Sequence, residues 1–290
     1  MKPTLFSSTR PCRLLVCTDG SPASKGASEA AFALARRWPC RIWVLQVLEY
    51  NPGFACQALD SIAQWEREAR ENLQAILSRV AESALSAEIV LRQGEAAPRA
   101  ILAEAEQRQP DLIVMGRRGR GEVAGMLMGS VTARVIGLSP VNVLVVPRNA
   151  PLTFQRLLVA VDGSPCSEAA WQEALSLSKA WASYLAAVSV APKEADIPET
   201  KRILEKLQDD ADREGDPLDT LMLRGAPGEA VIRAAQTRGA DLFILGSRGR
   251  TGLSRLFMGS VAEWVIGRAR CPVLIVKRRY VSLRPEDGKL

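Results

Sequence analysis

The stretch Asp111-Leu112-Ile113-Val114-Met115-Gly116-Arg117-Arg118-Gly119, closed after nine intervening residues by Gly129-Ser130, decides how this chain is read. It returns at a shift of 130 residues as Asp241-Leu242-Phe243-Ile244-Leu245-Gly246-Ser247-Arg248-Gly249, closed by Gly259-Ser260. Each copy is a short apolar run opened by an aspartate and followed by Gly-x2-Gly-x9-Gly-Ser. Such a run passing into glycines and then a hydroxyl residue reads as a buried strand, a loop open to phosphate, and a helix start. Its recurrence makes two α/β domains, each with its own loop.

The repeat extends outward from the loops. Arg13-Leu14-Leu15-Val16-Cys17-Thr18-Asp19-Gly20-Ser21-Pro22 is answered by Arg156-Leu157-Leu158-Val159-Ala160-Val161-Asp162-Gly163-Ser164-Pro165, and Leu91-Arg92-Gln93-Gly94 more loosely by Leu223-Arg224-Gly225. The aspartates are offset by 143 and the loops by 130, so the first copy carries 13 extra residues between them. Surface connections absorb insertions more readily than packed elements, which points to the stretch 51–83. The 290 residues, 47% of them hydrophobic, divide into domains 1–149 and 150–290, with the boundary near Arg148-Asn149-Ala150-Pro151-Leu152-Thr153. A bridge this short implies two domains packed together, not two beads on a flexible string.

Strands are expected at 13–18, 41–48, 88–92, 111–115 and 142–146, with helices at 22–36, 61–83, 97–108 and 129–138. The second copy gives strands at 156–161, 184–190, 218–223, 241–245 and 272–276, with helices at 165–181, 199–214, 228–238 and 259–268. Nearly continuous apolar strands alternating with helices predict two tandem doubly wound five-stranded parallel-sheet domains, Rossmann-like in their winding. Asn142-Val143-Leu144-Val145-Val146 and Pro272-Val273-Leu274-Ile275-Val276 would be apolar sheet edges, and such edges are templates for pairing. The tail 279–290 shows little apolar periodicity and is expected to be extended or poorly ordered.

Composition excludes several function classes. No apolar window of membrane-spanning length and no leader pattern is present, so the chain reads as soluble, untargeted and cytoplasmic, with no membrane partner. It contains no histidine, and its six cysteines, Cys12, Cys17, Cys40, Cys56, Cys166 and Cys271, show neither a CxxC nor a ligand spacing. They read as buried or incidental thiols, and a zinc site is disfavoured. A formal charge of +6 raises nucleic acid as a partner. The cations, however, gather at Arg117, Arg118 and Arg120, at Arg248 and Arg250, and in Lys277-Arg278-Arg279, while acidic residues are interspersed between them. A local anion at the glycine loops explains two of these clusters, and no helix-turn-helix, zinc-finger or aromatic RNA-binding signature accompanies them, so nucleic acid is not expected.

In a doubly wound sheet, ligands sit beyond the carboxyl ends of the strands where the winding reverses. Asp19 and Asp162 follow the first strands, Gly116 and Gly246 the fourth, and Gly129-Ser130 and Gly259-Ser260 open the next helices. All lie on that rim. Glycines there let an anion approach the main chain, and a helix's first amides are ready donors. The alternative is that the glycines only permit turns and the serines only cap. A carboxylate beside phosphates is repulsive, so Asp19 and Asp162 suit a ribose or a divalent cation, or else brace the Asp-Gly-Ser turn. At least one of Arg117, Arg118, Arg248 and Arg250 is expected to touch the ligand.

On these residues the chain resembles the universal stress protein family in its tandem form, over nearly the whole length. The resemblance implies an adenine nucleotide alpha hydrolase-like fold and ATP binding, with Mg²⁺ or Mn²⁺ accompanying the nucleotide. Adenine would lie near the ends of the first two strands and the phosphates on the glycine loop. One site would use Asp19, Val47, Gly116, Gly119, Gly129 and Ser130, and the other Asp162, Val190, Gly246, Gly249, Gly259 and Ser260. Members that keep the glycine signature resemble the ATP-binding branch. The second half is the more typical. The first has Glu122 near its phosphate arm, which predicts weaker occupancy, and Asn142 where the other has Pro272. The last strand resembles a dimerisation element, which the two halves can satisfy by pairing with each other, with a homodimer of whole chains and a regulatory protein partner also implied.

No histidine base, GxxxxGK[ST] loop or repeated carboxylate pair supports strong catalysis. The leading function is therefore an ATP-dependent stress-response or signalling module. Slow metal-dependent ATP hydrolysis and a dimeric scaffold without nucleotide are the alternatives; a redox flavoprotein has no specific support.

Overall fold

The computed structural model describes residues 10–49, 59–83, 85–119, 127–250 and 258–278. The first half runs β1 (Cys12–Thr18), α1 (Lys25–Arg37), β2 (Cys40–Glu49), α2 (Leu59–Glu82), β3 (Ala87–Gly94), α3 (Ala97–Arg108), β4 (Leu112–Gly116), α4 (Ser130–Leu138) and β5 (Asn142–Val146). The second runs β6 (Arg156–Ala160), α5 (Pro165–Trp181), β7 (Tyr184–Ala191), a 3₁₀ turn at Glu194–Asp196, α6 (Ile197–Glu214), β8 (Leu218–Arg224), α7 (Pro227–Arg238), β9 (Leu242–Gly246), α8 (Ser260–Arg268) and β10 (Val273–Val276). Each strand and helix expected from sequence is present, with ends shifted by three residues or fewer.

All ten strands form one sheet in the order β3-β2-β1-β4-β5-β10-β9-β6-β7-β8. Pairing is parallel within each half. At the centre β5 and β10 are antiparallel, with Leu144 opposite Leu274, flanked by Val145 opposite Val273 and Val143 opposite Ile275. The two apolar edges thus protect each other, as the sequence led us to expect. Alternate residues feed a hydrophobic cluster on each face of the sheet, and both clusters cross the junction. Leu14, Val114, Leu144, Val159 and Leu274 belong to one; Leu15, Ile113, Val143, Leu158 and Ile275 belong to the other.

The extra length of the first half is not confined to a surface connection. Helix α2 has 24 residues against 18 in α6, so part of the insertion lengthens a helix. An amphipathic helix buried along one stripe, here by Ala69, Leu73 and Val80, can be prolonged without disturbing the strands beneath it.

The aspartate that opens each loop motif anchors the start of a strand. Asp111 accepts from the Arg13 amide at 2.9 Å and from the Arg10 and Arg13 guanidinium groups. Burial raises its pKa, but the two arginines and the Arg13 amide outweigh that and hold it down at about 2. Asp241 instead accepts from the Thr153 hydroxyl and from the Gln155 and Arg156 amides. In both halves this ties the fourth strand to the first and sets up the crevice between them.

Candidate functional site

The chain turns outward in both directions at β1/β4 and again at β6/β9, so each pair defines a switch point. At the first lies a cavity of about 530 Å³. Asp19, Val47, Gly116, Gly119, Gly129 and Ser130, all six residues expected there, line it. Its walls also include Gln46, Glu49, Trp65, Ala97, Ile101 and Met128. Sequence reasoning missed Trp65, an exposed aromatic on α2, because α2 carries no repeated motif. Asp162, Gly246, Gly249, Gly259 and Ser260 occupy the corresponding places around β6, β9 and α8, with Val190 near the end of β7.

The three glycines of each motif have different physical reasons. A Cβ on Gly116 would sit 2.9 Å from the Ala23 carbonyl oxygen, and one on Gly246 2.6 Å from the Cys166 carbonyl carbon, so the strand end must pass bare against the first turn of a helix. A Cβ on Gly119 would collide with Asp19 Oδ2, and one on Gly249 would lie 2.6 Å from Asp162 Oδ2. The third glycine is unlike these. A Cβ on Gly129 would meet nothing closer than 3.5 Å, and on Gly259 nothing closer than 3.4 Å. Their φ values of −69° and −66° suit any residue. Among the described residues no contact requires glycine there.

These third glycines are the N-caps of α4 and α8, and neither helix has a side-chain cap on its first amides. The Gly129 amide donates to the Arg117 carbonyl at 2.9 Å and the Gly259 amide to the Ser247 carbonyl at 3.1 Å. The next three amides of each helix have no intrahelical acceptor, by the geometry of any helix start. At the first site these amides stand beside the cavity wall formed by Ser130, Val131 and Thr132. Such an end favours an anion.

The aspartates brace turns. Asp19 Oδ1 accepts from the Ser21 amide and Asp162 Oδ1 from the Ser164 amide, each at 3.0 Å, across glycines at φ of 78° and 79°. Asp162 Oδ2 also accepts from the Arg250 amide at 3.0 Å, which fixes the second glycine loop. Among the described residues no cluster of three histidine, cysteine or acidic side chains could hold a metal.

Arg117 makes a contact other than the ligand contact considered for it. Its Nη1 reaches out of the loop to the carbonyls of Ala269, at 3.0 Å, and Ile266, at 3.4 Å, at the end of α8 in the other half. Lys277 makes the reciprocal crossing, with Nζ donating to the Ile136 carbonyl of α4 and its amide to Asn142 Oδ1 at 2.9 Å. Asn142, atypical beside Pro272, thus serves as an acceptor at the junction. Burial, then repulsion from Arg248, pushes Lys277 down to about 8. Arg118 lines the first cavity, whereas Arg248 lines a second, of about 700 Å³, between the halves with Lys277, Arg278 and Arg13. Arg120, Glu122, Arg279, Cys56 and the tail 279–290 lie outside the described residues.

The fold and its paired loops define a tandem doubly wound α/β protein. A profile of the universal stress protein family matches residues 12–147 and 153–277, and the chain belongs to that family. Universal stress protein MJ0531 of Methanocaldococcus jannaschii is 32% identical over 147 residues, 45% of this chain and 86% of that protein. Universal stress protein YxiE of Bacillus subtilis is 30% identical over 148 residues, 43% of this chain and 99% of that protein. A solved universal stress protein from Archaeoglobus fulgidus has the same fold across both halves, with TM-score 0.74 at 23% identity, covering 92% of this chain and 98% of that one. No described helix is long and apolar enough to cross a membrane.

Proposed function

We propose that the chain binds ATP, with Mg²⁺ or Mn²⁺ on the phosphates, at both switch points, and acts as a nucleotide-dependent stress-response or signalling module in the cytoplasm. The observation that carries this reading is the third glycine of each motif. Gly129 and Gly259 are bare where the described residues would admit a side chain, and both head helices whose first amides have no side-chain cap among those residues. A phosphate seated on those amides would need the space that a Cβ would take. Gly116, Gly119, Gly246 and Gly249 shape the loop, while Ser130 and Ser260 add hydroxyl donors. Val47 and Val190 offer apolar surface to the base, and Asp19 and Asp162 hold the loops in position.

The units of this function are 1–149 and 150–290. A dimer of whole chains has to use another surface, because β5 and β10 satisfy each other. A regulatory protein would read whichever surface changes with occupancy.

The test is calorimetric titration of the full chain with ATP plus Mg²⁺ or Mn²⁺, repeated for Gly129→Val and Gly259→Val. Two ATP per chain are expected, with each variant losing one site and keeping its melting transition. A separate titration with cAMP sets the ligand preference, since a universal stress protein has been solved in complex with cAMP. Phosphate release followed in the same samples reads turnover. Failure of the wild-type chain to bind ATP with either metal would favour the scaffold without nucleotide.

A further inference from the structure

Cysteine spacing in the sequence gives no sign of a redox pair, yet the sheet creates one. Cys12 opens β1 and Cys40 opens β2, and the two are in-register partners at the first rung of that parallel ladder. The Cys12 amide donates to the Pro39 carbonyl at 2.9 Å, which fixes the two strand starts side by side. Both side chains face the layer beneath α1 and α2, where Cys40 packs against the cluster containing Cys12. Both are free thiols.

We propose that Cys12 and Cys40 form a reversible disulfide when the protein meets a hydroperoxide. The span permits it: neighbouring strands lie about 4.7–4.9 Å apart, inside the roughly 4.4–6.8 Å that Cα atoms of a disulfide occupy. Access sets the order of events. Cys12 is 2% exposed, whereas Cys40 is half-buried. The neighbouring Cys40 side chain, and then burial, raise the pKa of Cys12 and keep it a thiol.

Cys40 as thiolate attacks one peroxide oxygen. The S–O bond forms, the O–O bond breaks, and the departing oxygen takes up a proton to leave as water or alcohol. The Cys40 sulfenic acid is then attacked by Cys12 sulfur; the S–S bond forms, the S–O bond breaks, and the hydroxyl leaves with the Cys12 proton as water. Two electrons pass from the thiol pair to the peroxide. An external dithiol reverses the step by exchange. The bond would close the 12–40 segment and lock β1 to β2, the strands that carry Asp19 and Val47 at their far ends.

The full chain is treated with hydrogen peroxide, then alkylated and mapped by mass spectrometry before and after dithiothreitol. A cross-linked peptide pair containing Cys12 and Cys40, the loss of two titratable thiols, and recovery of both on reduction are expected. Cys40→Ser should abolish the cross-link with the circular dichroism spectrum unchanged, and Cys12→Ala should leave Cys40 as a sulfenic acid trapped by dimedone. The proposal is overturned if Cys12 stays alkylatable while Cys40 is oxidised, if the cross-link joins other cysteines, or if neither thiol reacts at a dose that oxidises the thiols of the unfolded chain.

Discussion

Ile136 and Ile266 occupy the same place in the two halves, in the last turns of α4 and α8, and each carbonyl receives a cation from the opposite half. The cations come from different positions. Arg117 crosses from the end of β4, and Lys277 crosses from the end of β10. The residue answering Arg117 is Ser247, and the one answering Lys277 is Pro147. A helix's last carbonyls attract positive charge, and either strand end can supply it. The difference has a consequence for the sites. Arg117 donates its amide to Val146 and accepts the Gly129 amide on its carbonyl, so one residue frames the first glycine loop and grips the other half. Ser247 makes the same backbone bonds to Val276 and Gly259, but its hydroxyl stays at home, 4.0 Å from Cys166 Sγ.

The largest expected difference between the halves lies at the first glycine. A methyl group on Gly246 would press into three backbone atoms of Cys166 and Ser167 at 2.6–2.8 Å, whereas on Gly116 the nearest atoms are at 2.9–3.2 Å. Overpacking against rigid backbone costs about 1–3 kcal/mol. Gly246→Ala is therefore expected near the top of that range and Gly116→Ala near the bottom, measured by denaturant unfolding. Equal costs would show that the two loops relax alike.

Lys277 comes next. Its pKa in the folded chain, about 8, lies below the ordinary 10.5, so between these values the unfolded chain holds more protons and stability rises with pH. One pH unit above the folded value the gain is about 1.4 kcal/mol. Lys277→Met should remove this alkaline gain, seen as a flatter melting temperature between pH 8 and 9, while Arg117→Lys should preserve it.

Arg117→Ser, which installs the residue of the other half, should cost about 1 kcal/mol through the uncovered carbonyls of α8. It should also weaken ATP at the first site severalfold, because the loop loses its anchor. Lys277→Met lies outside the glycine loops and should leave both affinities unchanged. Titrating ATP into both variants separates an anchoring role from a general loosening of the junction.

Legibility in the sequence followed from the range of the interactions. Strands such as Leu112–Gly116 could be read because apolar runs and their glycine stops are local signals and the repeat doubled them, whereas the pairing of β5 with β10 followed from the family resemblance. The rim residues could be read for the same reason. What stayed hidden depends on atoms distant in sequence: Asp19 against Gly119, Arg117 against Ala269, Cys12 beside Cys40 and Trp65 at the cavity wall. Gly116, Gly119 and Gly129 look alike as letters, and only their neighbours show that a Cβ would strike backbone at the first and the Asp19 carboxylate at the second, while among the described residues it would meet nothing close at the third.

The smallest expected effect compares the aspartates that open the two motifs. Asp111 is gripped by guanidinium groups, whereas Asp241 takes its bonds from a hydroxyl and two amides. With its pKa held at about 2 against an ordinary 3.8, Asp111 contributes stability that is present above pH 4 and is lost as pH falls through 2. The shift alone would convert to about 2 kcal/mol. Arg10 and Arg13 are 41% and 35% exposed, and water and salt screen such charges, so about 1 kcal/mol is the better expectation. Asp111→Asn should therefore lower the melting temperature at pH 6 and leave it nearly unchanged at pH 2, with the gap narrowing in added salt. Asp241→Asn should show less dependence on salt, since no arginine pairs with it through charge in the described structure. If the two variants responded alike to salt, the guanidinium grip on Asp111 would be of no energetic consequence, and the first half would owe its strand anchor to the Arg13 amide alone.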